Sequence, residues 1–236
     1  MYKRVWLIFL CLLLLLMAED AEYKYQQLQQ KYHNLYEAYH KKTFVQRMKL
    51  VPPSELMWQE FQQLIDDFPG SEGARKSLFW MVRNWSGCSP SIEEQHKVLL
   101  KNLDTLITYY VNHPDLVEVL SLCKYVDLRI CRDFFEKVIE KTTTKSVRED
   151  ALYYYACTLY DSEISRNVIY SKKLFQQLSK HKNNYQQKSK NFLSKLERRQ
   201  TGMVAPEIVG KDVDGNEMRL SDFRGNVVFL YFWGHW

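Results

Sequence analysis

The sequence predicts a mainly α protein, an array of helical hairpins followed by a few short β-elements. Three observations support that expectation. Glycine is absent between Gly87 and Gly202, and five of the eight glycines (Gly202, Gly210, Gly215, Gly225 and Gly234) fall in the last 35 residues. The glycine-poor stretch is built from Leu, Glu, Gln, Lys and Ala, which cost least in a helix. Past Gln200 the texture changes to β-branched and aromatic runs separated by turn formers.

The chain starts with a basic head, Met1-Tyr2-Lys3-Arg4, and an unbroken apolar run, VWLIFLCLLLLLM, before Ala18 and Glu19-Asp20. This is the layout of a secretory signal peptide, whose apolar core is shorter than a membrane-spanning helix. Residues 1–18 are read as that signal, with cleavage after Ala18, although Leu16 is larger than the small residue usual at that spacing. An uncleaved N-terminal anchor is the runner-up. Ile8-Phe9-Leu10 are not the small residues that lipid attachment at Cys11 requires. The expected location is therefore the periplasm or cell envelope, with membrane contact only through an uncleaved signal.

Residues 20–200 are read as the helical-hairpin region. A first helix is expected over 21–48, because Tyr25, Leu28, Tyr32, Leu35 and Tyr39 recur at spacings of three and four and share one face. VPPSE breaks it, with Ser54 as the expected N-cap of a second helix that runs to Pro69-Gly70. A third helix is capped by Ser71 and ends at Gly87. Further helices are expected over 91–112, 129–141, 146–160, 167–179 and 185–199. Paired helices with short turns resemble a tetratricopeptide-type array, but no period of about 34 residues repeats. Such arrays chiefly present surfaces to protein partners.

Charge and cysteine usage narrow the function classes. The net charge is +5, and the excess comes from one stretch. There, Lys172, Lys173, Lys180, Lys182, Lys188, Lys190, Lys195, Arg198 and Arg199 face Glu197 alone. That face is read as solvated, with an acidic partner or anionic membrane as the sharper alternative. No aromatics interleave with the lysines, so nucleic acid is not expected as a partner. Beyond Cys11 the chain holds Cys88, Cys123, Cys131 and Cys157, with no Cys-x-x-Cys among them. Most are read as small apolar fillers, and Cys123 with Cys131 as the candidate disulfide. His33, Glu37 and His40 align on one helix face, but no companion ligand set is evident, and no metal site is assigned.

In residues 201–236, a short strand is expected over 207–211, a hairpin turn at Asp214-Gly215 and a returning strand over 217–220. Ser221-Asp222 opens a tight turn closed at Gly225. Residues 227–232 are six consecutive apolar residues, the pattern of a central strand covered on both faces.

Gly202, Ala205-Pro206-Glu207, Asp214-Gly215, Leu220-Ser221-Asp222-Phe223, Arg224-Gly225, Val227-Val228 and Phe232-Trp233 together resemble the entry to a thioredoxin-like redoxin domain. The type is that of the exported TlpA/ResA-like disulfide reductases and the broader antioxidant AhpC/TSA group. The resemblance implies that 201–236 is the N-terminal part of an incomplete α/β domain. It also implies that Phe-Trp-x-x-Trp, met here as Phe232 to Trp236, is followed at once by Cys-x-x-Cys. There the first cysteine lies at a helix N-terminus, where backbone N–H groups stabilise a thiolate. Trp233, His235 and Trp236 would border that site. The chain reaches Trp236 one residue before the implied nucleophile, so no catalytic residue is assigned. A peroxidatic Pro-x-x-x-Thr-x-x-Cys loop is not what FWGHW leads into, which favours a dithiol reductase.

Three readings of the ending compete: a fragment or frameshift, a cysteine codon mutated to UGA, and an in-frame UGA encoding selenocysteine. The expected function is an exported thiol–disulfide oxidoreductase, inactive over these 236 residues. At full length its partners would be protein disulfides and a thioredoxin-type donor, with no cofactor. The alternative is an envelope scaffold whose helical array binds a protein partner.

Overall fold

The computed structural model describes the backbone of residues 2–162, 164–198 and 204–234, with side chains from Glu19 onward except Arg198. Among these residues are ten α-helices and one two-stranded antiparallel sheet, so the protein is mainly α, as expected. The side chains of the predicted signal, residues 1–18, lie outside the described set. No helix among the described residues is long and apolar enough to cross a membrane.

The helices are α1 (Tyr2–His40), α2 (Phe44–Arg47), α3 (Pro53–Asp67), α4 (Glu72–Arg83) and α5 (Ile92–Tyr110). They continue as α6 (Leu116–Cys123), α7 (Leu128–Lys141), α8 (Lys145–Asp161), α9 (Ser165–Lys180) and α10 (Gln186–Arg198). Consecutive helices pair as α3 with α4, α7 with α8, α8 with α9 and α9 with α10. α1 lies across both α3 and α4, and α6 packs between α4 and α8. Gly73 lets α1 and α4 meet backbone to backbone. A Cβ there would come within 2.3 Å of the Ala21 carbonyl oxygen.

Aromatic pairs fill the seams. Phe61 of α3 stacks on Trp80 of α4 at 3.9 Å between ring centres, and Tyr32 of α1 meets the same indole edge-on at 4.9 Å. Phe135 of α7 stacks on Tyr155 of α8 at 5.2 Å. Phe175 of α9 and Phe192 of α10 approach to 4.1 Å. Tyr25, Leu28, Tyr32 and Leu35 of α1 face the core, as their spacing predicts.

Several boundaries follow local chemistry that the periodicity did not show. The first helix stops at His40 rather than near Met48. Thr43 and Gln46 form a capping box that starts α2, and this competes with continuing the helix. Ser54 is not an N-cap. Pro52 holds that position, Pro53 needs no donor at the first turn, and the Ser54 hydroxyl donates to the Gly87 carbonyl at 3.0 Å. Ser71 does cap α4, accepting from the Ala74 amide at 3.1 Å.

Helix α6 was not expected. Its buried Leu116, Val119, Leu120 and Cys123 do follow helical spacing. An eight-residue run with apolar neighbours such as Val117 and Leu122 hides that stripe. Arg75, buried in α4 and paired with Glu72 of the same helix, fixes the approach to α6 through Asp115 at 3.0 Å.

In the C-terminal segment, β1 (Val209–Lys211) pairs with β2 (Glu217–Arg219) in the register Val209 opposite Arg219. Gly215 supplies the positive φ of +86° that the turn requires. The Asp212 carboxylate accepts from the Asp214 and Asn216 amides at 3.0 and 2.8 Å, closing that turn. Residues 220–223 form one 3₁₀ turn, and Gly225 takes φ +89° after it. Residues 227–232 are not a strand. They pair with no other strand among the described residues, and a central strand exists only through neighbours on both sides. Their side chains are exposed, with Phe229 at 88%.

Phe61→Ala, at a fully buried stacked ring, should cost about 3–5 kcal/mol in urea denaturation. Phe229→Ser, at an exposed ring, should change stability by no more than about 0.5 kcal/mol.

Candidate functional site

Two places carry the residues that sequence reasoning singled out: the C-terminal hairpin and the cysteines of the helical region. In the hairpin, Glu207 does work that no motif announced. Its carboxylate accepts from the Ser221 amide at 2.9 Å and the Ile208 amide at 3.2 Å, tying the residues before β1 to the 3₁₀ turn. The Ser221 side chain, with the Ser221 and Ile208 amides, holds the Glu207 carboxyl below its usual range. One side of the hairpin forms an apolar hollow of about 240 Å³, lined by Ile208, Met218, Leu220, Phe223, Val228 and Leu230.

Trp233 is 76% exposed and touches no assigned site. His235 and Trp236, the other two expected neighbours of the reactive centre, lie outside the described residues.

All four cysteines of the described region are free thiols. Cys88 is half-buried behind the Trp85–Gly87 turn, and burial pushes its thiol up from the ordinary value. Cys157 is half-buried on α8 and bonded to Tyr153, and burial again pushes its thiol up. Cys123 closes α6 and Cys131 lies in the first turns of α7. Both are buried. The neighbouring Cys131 side chain, followed by burial, raises the Cys123 thiol well above its usual value.

A nucleophilic cysteine needs the opposite environment, a helix N-terminus or a nearby cation that lowers the thiol pKa. Burial at Cys88, Cys123 and Cys157 therefore makes poor attacking groups.

The remaining sequence candidates stay apart. His33, Glu37 and His40 are exposed on α1, with His40 bonded to Arg47 at 2.8 Å and packed on the Tyr36 ring. No cluster of three or more metal-ligating side chains occurs among the described residues. Lys188 stands over the Tyr153 and Tyr185 rings at 5.7 and 5.5 Å. None of the lysines within 172–195 forms an ion pair among the described residues.

Comparison with known proteins supplies an independent observation. A stretch of 46 residues is 46% identical to the thiol-disulfide oxidoreductase ResA of Geobacillus thermodenitrificans, covering 20% of this chain and 26% of that protein. The ResA of Geobacillus kaustophilus is 48% identical over the same length and coverage. The ResA of Bacillus cereus is 44% identical over 45 residues, 19% of this chain and 26% of that protein. The chain thus spans about a quarter of the length of the curated relatives it matches. No family model and no solved structure matches it. The matches relate one part of the chain to thioredoxin-like thiol-disulfide oxidoreductases.

With the protein fully reduced, Cys88 and Cys157 should react with a disulfide reagent before Cys123 and Cys131, which should wait for unfolding. Raised thiol pKa values mean less thiolate at neutral pH. The native labelling rate should therefore keep climbing past pH ~8.5, where an ordinary thiol begins to level off.

Proposed function

We propose that this chain carries the entry segment of an exported thiol–disulfide oxidoreductase of thioredoxin-like type, preceded by a helical region. The observation behind this reading is the partial identity to thiol-disulfide oxidoreductases from Geobacillus and Bacillus. The residues from Ala205 to Trp233 keep the order of pieces that such an entry uses, and the β1–β2 hairpin presents one apolar side. An apolar side of that kind is what a covering layer of a larger sheet would pack upon.

The sequence contains no Cys-x-x-Cys, and burial raises the thiols of Cys88, Cys123 and Cys157. These 236 residues by themselves are therefore expected to be inactive as a catalyst of disulfide reduction. In the family the substrates would be protein disulfides, reduced at the expense of a thioredoxin-type donor. The basic head and apolar run of residues 1–17 support export. In an oxidising compartment, Cys123 and Cys131 would pass two electrons and two protons to an external protein disulfide. One S–S bond would form between α6 and α7 while the external one is broken into two thiols.

The purified chain should reduce insulin disulfides no faster than background. A chimera in which residues 204–234 replace the matching segment of the Geobacillus thermodenitrificans oxidoreductase should keep that enzyme's activity within about tenfold. A chimera that folds but is inactive would sink the redoxin reading. Export is read separately, by fusing alkaline phosphatase after the chain in a bacterial host. Enzyme activity is expected, together with alkylation of Cys123 and Cys131 only after reduction. A silent fusion, or two freely alkylated thiols in exported denatured protein, would overturn export or the bridge respectively.

A further inference from the structure

One concavity of the helical region does not involve the C-terminal segment. It is a cleft of about 560 Å³ between the α6–α7 loop, α7, the end of α8 and the start of α9. Lys124, Arg129, Arg132 and Arg166 line it, against Asp127 and Asp161. The ion pairs account for only half of these cations. Asp127 caps α7 and is fully engaged by Arg129, to which its oxygens lie at 2.6–3.1 Å. Asp161 lies 4.0 Å from Lys124.

Neither Arg132 nor Arg166 forms an ion pair with a carboxylate among the described residues. Arg132 is nonetheless held in place, because its guanidinium donates to the Asn167 side-chain oxygen at 3.3 Å. Asn167 is 4% exposed, and its amide nitrogen donates to the Ser162 hydroxyl at 2.9 Å. A buried amide positioned by a hydroxyl thus orients a guanidinium toward the cleft without neutralising it. Arg166, beside Asn167 in sequence, is exposed and has no polar partner among the described residues. Between the charges the lining is apolar. Tyr125 is 83% and Ile164 50% exposed, and Val126 and Leu128 are half-buried beside them.

We infer that this cleft binds an extended acidic peptide segment, with one carboxylate held by Arg132 and Arg166 and an adjacent apolar side chain against Tyr125 and Ile164. A guanidinium fork suits a carboxylate, and its charge-assisted bonds are the strong ones. The apolar residues between the cations favour alternating acidic and apolar side chains over a uniformly charged polymer, which would want a broad basic stripe. The lysines of α9 and α10 supply no such apolar lining, so they are not included. The reading concerns the helical region alone and stands apart from the redoxin proposal, since it is tested by binding rather than by disulfide exchange.

The test uses the full chain and rhodamine-labelled decapeptides of alternating glutamate and leucine, lysine and leucine, or serine and leucine, followed by fluorescence anisotropy. The glutamate peptide should bind most tightly, and Arg132→Gln with Arg166→Gln should weaken it about tenfold or more at unchanged helical circular dichroism. Lys182→Gln with Lys190→Gln should leave binding as it was. Arg166→Gln alone, at an exposed side chain, keeps the test valid if the double variant misfolds, and should weaken binding about threefold or more. Equal binding of the three peptides, unchanged binding by the arginine variants, or an equal loss in the lysine variant would overturn the proposal. So would tighter arginine-dependent binding of phosphatidylglycerol vesicles or of a single-stranded oligonucleotide.

Discussion

Each helix of the array can bury only one face, and the aromatic rings that fill the seams between neighbouring helices make those faces fit one another. Phe61 on Trp80 joins α3 to α4, Phe135 on Tyr155 joins α7 to α8, and Phe175 with Phe192 joins α9 to α10. Large rings exclude more water per side chain than aliphatic residues and prefer defined approach angles, so they set spacing as well as stability. Tyr153 and Tyr185 repeat the device, stacked at 4.1 Å, with the Tyr185 hydroxyl donating to the buried Asp150 carboxylate at 2.7 Å. The carboxyl of Asp150 is pushed up by burial, and the tyrosine gives it the partner that burial demands.

The C-terminal segment is governed by the opposite condition. Its hairpin satisfies its own backbone through three register pairs and an Asp212-closed turn, but a two-stranded unit cannot enclose an apolar core. The run VVFLYF therefore stands exposed. The same residues that read as a buried central strand are, without flanking strands, a surface that invites pairing with another chain.

The chemistry divides along the same line. The helical region holds Cys88, Cys123, Cys131 and Cys157 but surrounds Cys123 and Cys157 with apolar packing, and it sets Cys123 beside Cys131. The same region concentrates cations at its surface, most of them solvated. In the cleft beside the α6–α7 loop, Arg132 of α7 instead meets an amide, and Arg166 of α9 has no polar partner among the described residues. Cys123 and Cys131 bracket that loop, so its conformation is anchored in the core from both ends.

What the sequence by itself determined is what short-range forces decide. The mainly α class, most of the helices, the Ser71 cap, the Gly215 turn and the want of a Cys-x-x-Cys all depend on residues within about four positions of each other. The relation to disulfide oxidoreductases was legible for a similar reason, as a local order of turn and strand residues. Only the tertiary structure decided the rest. Ser54 serves the Gly87 carbonyl instead of a cap, α6 wedges between α4 and α8, and Asn167 reaches back 35 residues to orient Arg132. Those choices depend on which groups meet after the chain has folded back on itself, and a buried polar atom takes the partner it meets there.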